Sequence, residues 1–182
     1  MRIQEIPPEY LPDPATLPER AYNLPELGYP QQLNAVAELL DAGPARALGD
    51  RVVFYCDDGT ITYAELSRAV NRVGNALRRL GIRPGQRVVL RLPDGPELVY
   101  WILALQKIGA VPVPTFTLSR AADLVYREND TEATAIVADA RLLDEVEKAR
   151  TGFRYAQHLI AVPATDNPAY LDSDVLVANA SD

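Results

Sequence analysis

Between Thr62 and Leu80 the apolar residues Leu66, Ala69, Val70, Val73, Ala76, Leu77 and Leu80 recur at steps of three and four, with Ser67, Arg68, Asn71, Arg72, Asn75, Arg78 and Arg79 between them. That period predicts an amphipathic helix with one buried stripe. Thr62 followed three residues later by Glu65 is a capping-box pattern, in which hydroxyl and carboxylate each satisfy a free amide of the first turn. Gly81 suits a left-handed cap at the far end, where Arg78 and Arg79 meet the negative end of the helix dipole. Gly74 falls on the apolar stripe, where a missing side chain admits close packing. The charges lie on the outward face, so this helix reads as scaffold.

The pattern continues in both directions. "LNAVAELL" over 33–40 predicts a short helix with Asn34 near its start. "RVVFYC" over 51–56 is rich in β-branched and aromatic residues and predicts a strand. "DDGT" over 57–60 predicts a turn, and Ile61 a short second strand. Beyond the helix, "GQRVVLRL" places a strand at 87–92. Asp94 with Glu97 repeats the capping pattern, and Pro96 is tolerated in a first turn. "ELVYWILALQKIG" is apolar almost all round, which predicts a helix buried on most sides and ended by Gly109. "AVPVP" over 110–114 is a short strand whose prolines cannot donate, so it should pair incompletely or end early. Ser119 caps a helix at 120–129, and "ATAIVA" over 133–138 is a continuous apolar strand. Asp139 caps a helix at 140–150 with Leu142, Leu143, Val146 and Ala149 inward, and "HLIAV" over 158–162 is the last strand. Four apolar runs alternating with three helices imply βαβ crossovers. The fold class is α/β, a mostly parallel doubly wound sheet with helices on both faces.

Three stretches divide the chain. Seven of the 15 prolines fall within the first thirty residues, so 1–32 reads as an extended, irregular leader, held against the domain by Tyr22, Leu24, Leu27 and Tyr29. Residues 33–162 carry the α/β subdomain, and 163–182 form an acidic, weakly patterned tail with a short helix at 173–180. A net charge of −7 argues against a general nucleic-acid or anionic-membrane surface. No run approaches the roughly 20 apolar residues of a membrane helix, and the N-terminus lacks a charged-then-apolar signal pattern, so a cytoplasmic protein is expected. The single cysteine, Cys56, excludes an intramolecular disulfide and reads as a small core residue. The single histidine, His158, precedes an apolar run and reads as structural, and the two leave no zinc-like set.

The familiar chemical signatures are missing: the dinucleotide glycine fingerprint, the Walker-type loop, C-x-x-C, H-E-x-x-H and G-x-S-x-G. Asp57–Asp58 reads as a solvated turn, and "DEVEK" over 144–148 as a charged helix surface pairing Asp144 with Lys148. In open parallel sheets, ligands lie beyond the carboxyl ends of the strands. Those ends are Arg91 to Pro96, Pro114 to Arg120, and Asp139 to Arg141. "PTFTLSR" sets an aromatic ring, hydroxyls and an arginine at a helix N-terminus, a place that favours anions. The competing reading is a loop that merely connects strand and helix.

"ITYAEL" (61–66), "NRVGNALRRLGIRPGQRVVLRLPDGPELVYWILALQKIGAVPVP" (71–114) and "AIVAD" (135–139) resemble, in that order, the first part of the acyl-adenylate-forming enzymes. That superfamily holds acid–CoA ligases, firefly luciferase and the adenylation domains of peptide synthetases. "GDRVVFYCDDGTITYAEL" and the leader "YNLPELGYPQQLNAVAELLD" look most like bacterial benzoate- and 2-aminobenzoate-type CoA ligases. The resemblance implies an enzyme of two steps. A carboxylate attacks ATP to give an acyl-AMP and pyrophosphate, and the CoA thiol then displaces AMP to form a thioester. Mg2+ and cationic side chains would stabilise charge on the phosphates. It also implies that the loop after "IGAV" lines part of the tunnel for the pantetheine arm of CoA; here that loop is Phe116, Thr117 and Leu118. No catalytic or metal-binding residue carries over.

Members of that superfamily run to several hundred residues. Their phosphate loop, adenine segment, hinge aspartate and mobile C-terminal domain with its catalytic lysine have no counterpart up to Asp182. The expectation is an N-terminal piece of an acid–CoA ligase, inactive alone, binding none of ATP, Mg2+ or CoA tightly, and self-associating through exposed apolar surface. One alternative is a stand-alone, non-catalytic α/β module that holds a partner protein or a CoA-like ligand. Another is an unrelated receiver-like or dehydrogenase-like domain, against which the missing glycine fingerprint weighs.

Overall fold

The capped helix runs Tyr63–Leu80 (α1) in a computed structural model of the chain, which describes residues 8–19, 24, 28, 30, 32–42, 47–57, 59–178 and 180–181. The capping box closes as expected: the Glu65 amide donates to Thr62 Oγ1 at 3.3 Å, and the Thr62 amide donates to the Glu65 carboxylate at 2.8 Å. Gly81 ends the helix at φ +95°, a left-handed conformation that side chains resist. The second long helix, Pro96–Lys107 (α2), approaches α1 at Gly74. A Cβ there would lie 3.3 Å from Ile108 Cγ2, so the bare backbone sets the spacing of the pair.

Strands Val52–Cys56 (β1) and Gly59–Thr62 (β2) form an antiparallel hairpin. Five further strands are Arg87–Arg91 (β3), Val111–Pro114 (β4), Ala135–Asp139 (β5), His158–Val162 (β6) and Leu171–Asp172 (β7). They make one parallel sheet in the order β4-β3-β5-β6-β7. Helices Ala121–Thr131 (α3), Leu143–Ala149 (α4) and Ser173–Ala178 (α5) complete the chain. Strand alternation sends Val88, Leu90, Val137 and Ile160 into a core with α1 and α2. It sends Val89, Ile136, Ala138 and Ala161 into a second core with Leu124 of α3 and Val146 of α4. Helices therefore cover both faces, as the pattern required.

Several local expectations need correction. The prolines of β4 do not shorten its pairing: Val111 to Pro114 all pair with β3, the Val111 amide donates to the Gln86 carbonyl just before β3 and the Thr115 amide to the Leu90 carbonyl within it, each at 2.8 Å. Pro112 and Pro114 therefore turn their donorless nitrogens to the outer edge, which cannot template another strand through them. The N-cap of α2 is Gly95 rather than Asp94, since Pro96 already takes the first helical position, and no side chain caps it. This helix is less enclosed than expected: Trp101, Ala104 and Leu105 are buried, while Leu98, Val99, Ile102 and Leu103 are half-buried. The 158–162 strand is not the last, because β7 adds two residues beside it. Asp172 then starts α5 by accepting the Asp174 and Val175 amides at 2.7 and 3.1 Å. On α4, Lys148 reaches Glu145 at 2.6 Å rather than Asp144.

At the other end, Asn34 caps the helical segment that follows, accepting the Val36 and Ala37 amides at 3.2 and 3.1 Å. That segment widens to a π-helix over Ala37–Ala42. It is pinned by Lys107, whose ammonium donates to Asp41 at 2.8 Å and to Asn71 at 2.6 Å. The leader shows short 3-10 turns at Pro8–Tyr10 and Pro14–Thr16. Of the residues expected to hold it, Leu24 is exposed, and Tyr22, Leu27 and Tyr29 lie outside the described residues.

Candidate functional site

From β3 the chain goes out to the edge strand β4 and then crosses back to β5 on the other side of β3. Connections that diverge between two neighbouring strands open a crevice at their carboxyl ends. Arg91, the last residue of β3, sits there and is only 3% exposed. Its Nη1 donates to the Leu142 carbonyl at 2.5 Å, and its Nη2 donates to the carbonyls of Thr117 and Ser119 at 2.7 and 2.9 Å. One side chain thus joins the ends of all three strands singled out in the sequence. Burial pushes this guanidinium below its ordinary value, opposed by Glu145, but an arginine stays charged. Its Nε is buried without a partner.

Asp139 ends β5 and folds the next turn around itself. Its carboxylate accepts the Arg141 amide at 2.8 Å and the Arg141 guanidinium at 2.9 and 2.7 Å. The result is a 3-10 turn over Ala140–Leu142, which carries the carbonyl that Arg91 holds. The start of α3 is also filled from within the chain. Asp123 accepts the Arg120 amide at 2.9 Å, and Glu145 of α4 accepts the Ala121 amide at 2.8 Å. These two carboxylates occupy amides that a bound anion would need, so the anion-favouring reading of "PTFTLSR" is corrected. Ser119 is not the cap; Arg120 holds that position.

Phe116, Thr117 and Leu118, the residues carried over as tunnel wall, lie together on the connection between β4 and α3. With Ser119 and Asp123 they line an open cavity of about 410 Å³. Phe116 is 77% and Leu118 87% exposed, so two large apolar side chains stand together at its rim. A second cavity, about 400 Å³, opens between α1, α2 and α5 beside Val73, Glu97, Tyr100, Trp101, Ser173 and Asp174. Desolvation, then the Asp174 charge, hold the Glu97 carboxyl above the usual range, and burial with Glu97 nearby pushes Tyr100 up to about 12. Nothing in the sequence pattern marked this cavity. Cys56 is half-buried on β1, and His158 half-buried at the head of β6. Among the described residues no three His, Cys, Asp or Glu side chains are grouped to hold a metal ion. No helix of the described residues is long and apolar enough to cross a membrane.

These charges set a pH dependence. Hydrogen bonds hold three carboxyls below the usual range: Asp139 through Arg141, Glu145 through Lys148 and the Ala121 amide, and Glu65 through Thr62. A carboxyl depressed on folding contributes stability above its unfolded pKa and loses it as pH falls through the folded value. His158, lowered by burial, acts in the same sense from the histidine range downward, and among the described carboxyls with a shift Glu97 acts in the opposite sense. Urea melts should show a slight decline of stability below about pH 6.5 and a steep one below about pH 4. A flat profile down to pH 3 contradicts this.

Comparison with known proteins adds the family. The family model "AMP-binding enzyme" matches residues 42–181. The chain belongs to the AMP-binding enzyme family. Among curated members, a 3-hydroxybenzoate–CoA/4-hydroxybenzoate–CoA ligase of Thauera aromatica is 38% identical over 113 residues, covering 62% of this chain and 22% of that protein. The benzoate–CoA ligase of the same organism is 34% identical over 120 residues, covering 65% and 23%. The chain thus spans under a quarter of the length of these family members. Among solved structures, an anthranilate CoA ligase in complex with anthranoyl-AMP superposes with a TM-score of 0.78 at 25% identity, covering 84% of this chain and 29% of that one. A benzoate CoA ligase from Burkholderia xenovorans LB400 gives 0.71 at 28%, covering 82% and 29%.

Proposed function

We propose that this chain forms the N-terminal sheet domain of an ATP-dependent acid–CoA ligase acting on an aromatic acid such as benzoate or 2-aminobenzoate. The supporting observation is that benzoate- and anthranilate-type ligases recur among its relatives by sequence and by fold. In this reading the complete enzyme joins a carboxylate to AMP from ATP, then to the thiol of CoA, with Mg2+ on the phosphates. The start of α3 does not fit a phosphate cradle, because Asp123 and Glu145 already accept its amides. No step on ATP is therefore assigned to it.

What the chain supplies is scaffold and one wall. Phe116, Thr117 and Leu118 would face the pantetheine arm of CoA, whose alternating apolar and amide groups suit two large apolar side chains on a hydrogen-bonded loop. The leader at 1–32, the subdomain at 33–162 and the tail at 163–182 belong to the same proposal. So does self-association, for which β7 and the half-buried side of α2 are the available surfaces.

The 182-residue chain should give no benzoate-dependent ATP–pyrophosphate exchange above a blank. Expressed with whatever its gene encodes after Asp182, it should give both exchange and a CoA thioester. Exchange by the short chain, or a gene product that forms no thioester from any aromatic acid, overturns this reading.

A further inference from the structure

We infer that Arg91 is a positioning residue: a buried cation that clamps the Phe116–Ser119 loop to the turn after β5 and so holds Phe116 and Leu118 outward. What the loop faces rests on the ligase reading above; the clamp itself does not.

The placement of the charge is the first argument. Along β3, Val89 packs into the core shared with α3 and α4, and Arg91 comes two residues later. A methionine or leucine there would extend that apolar cluster. Taking a guanidinium out of water is costly, and an apolar residue of similar volume is often no worse for stability. The charge therefore needs partners that only it can serve. Those partners are three backbone carbonyls from two connections, Thr117 and Ser119 on one and Leu142 on the other. Carbonyls removed from water need donors. A planar guanidinium offers several N–H groups in a fixed fork, which also fixes where the carbonyls lie relative to one another.

The loop's own geometry is the second argument. The Ser119 amide donates to the Phe116 carbonyl at 3.0 Å, closing a tight turn. Its flanks are anchored by the Thr115 amide on Leu90 and the Ala121 amide on Glu145. Between those anchors, among the described residues, the hydrogen bonds reaching 116–119 from another element come from Arg91. Both neighbours of Leu118 are thus held by their carbonyls, while Leu118 and Phe116 stand in water. Free of the clamp, two such side chains would fold back onto the adjacent cavity wall.

The test uses the 182-residue chain and nuclear magnetic resonance. Arg91→Met keeps length and fill but donates nothing; Arg91→Lys keeps a charge and part of the donation. In the native chain, backbone order parameters at Phe116, Thr117 and Leu118 should sit near the rigid value of about 0.85, and in Arg91→Met fall below about 0.6. Ser119 amide exchange should quicken about tenfold or more, the scale of losing charged hydrogen bonds, while β3, β5 and β6 amides keep their protection. Arg91→Lys should restore part of the order. Unchanged loop order in Arg91→Met overturns the proposal, as does a uniform loss of protection across the sheet, which marks plain destabilisation. Should Arg91→Met not fold, Arg91→Lys decides: disorder confined to the loop supports the clamp, and none overturns it. Pantetheine, added at millimolar concentration, should shift the 116–118 amides in the native chain and not in Arg91→Met. If it shifts nothing in the native chain, the tunnel reading fails and the order parameters still decide the clamp.

Discussion

Glu128→Ala is expected to lower stability by roughly 3 to 5 kcal/mol, the loss of three hydrogen bonds to a charged acceptor at about 1.5–3 kcal/mol each, partly offset by water. Glu128 lies on α3 with no exposed surface. Its carboxylate accepts three consecutive amides, from Arg154 at 3.0 Å, Tyr155 at 2.5 Å and Ala156 at 2.6 Å. Alanine would leave all three part-buried amides without an acceptor, and each orphaned donor costs up to about 1–3 kcal/mol before water or relaxation offsets it. Little else can yield nearby. Asn129 already donates to the Gly152 carbonyl, and a Cβ on Gly152 would come within 2.7 Å of Val125. Domains of this kind hold only about 5–15 kcal/mol in total, so the loss should be plain in a urea melt. Glu128→Gln should fall between, since its oxygen can keep the Tyr155 and Ala156 amides while its NH2 opposes that of Arg154. A loss under about 1 kcal/mol for Glu128→Ala would show that the amides find water instead.

That carboxylate also marks where pattern reading stops. It sits four residues after Leu124, on the inward stripe of α3, and a charge in that register was the one available sign of burial. Its partners are backbone amides 26 to 28 residues away, which no side-chain pattern encodes. The elements were legible for a related reason. Caps and periodicity are local, so α1 showed its start at Thr62 and its stop at Gly81 directly. Paired facing β4 was half legible: two prolines spaced by two said that one edge lacks donors, but only the register said which edge. At β7 two residues pair, too few to make a period.

The candidate site divides the same way. Its location followed from the topology, because crossovers that diverge from β3 leave a crevice at a known end of the sheet. Its chemistry did not. "PTFTLSR" looked like an anion site because a helix begins there, yet the residues that fill that start are Asp123, three positions on, and Glu145, on another helix. Arg91 was placed only at the carboxyl end of a strand, and the convergence of three carbonyls is what gives it a task. Tertiary hydrogen bonds decide between a site for a ligand and a site already satisfied.

Trp101→Ala should cost about 3–5 kcal/mol, the usual range for truncating a large buried aromatic. Trp101 is the largest fully buried side chain of the described residues and belongs to the core between α1, α2 and the sheet. It also forms one wall of the 400 Å³ cavity, so the space it leaves would merge with an existing one rather than close. The cost depends on how far a site can collapse, and here α1 and α2 are already held at contact distance by Gly74, so little collapse remains. Trp101→Phe, which keeps a ring, should lose less. The chain has one tryptophan, so emission from the native protein reports unfolding at this position alone, and circular dichroism can follow both variants. The effect should be global: protection lost across β3, β5 and β6 together, with the order of the 116–119 loop kept until the domain melts. That pattern is the reverse of the one expected when Arg91 is replaced, because a core aromatic contributes to every strand it covers, whereas a buried guanidinium acts only on the carbonyls it holds. A Trp101→Ala protein with native stability, or with disorder confined to the loop, would contradict this division of roles.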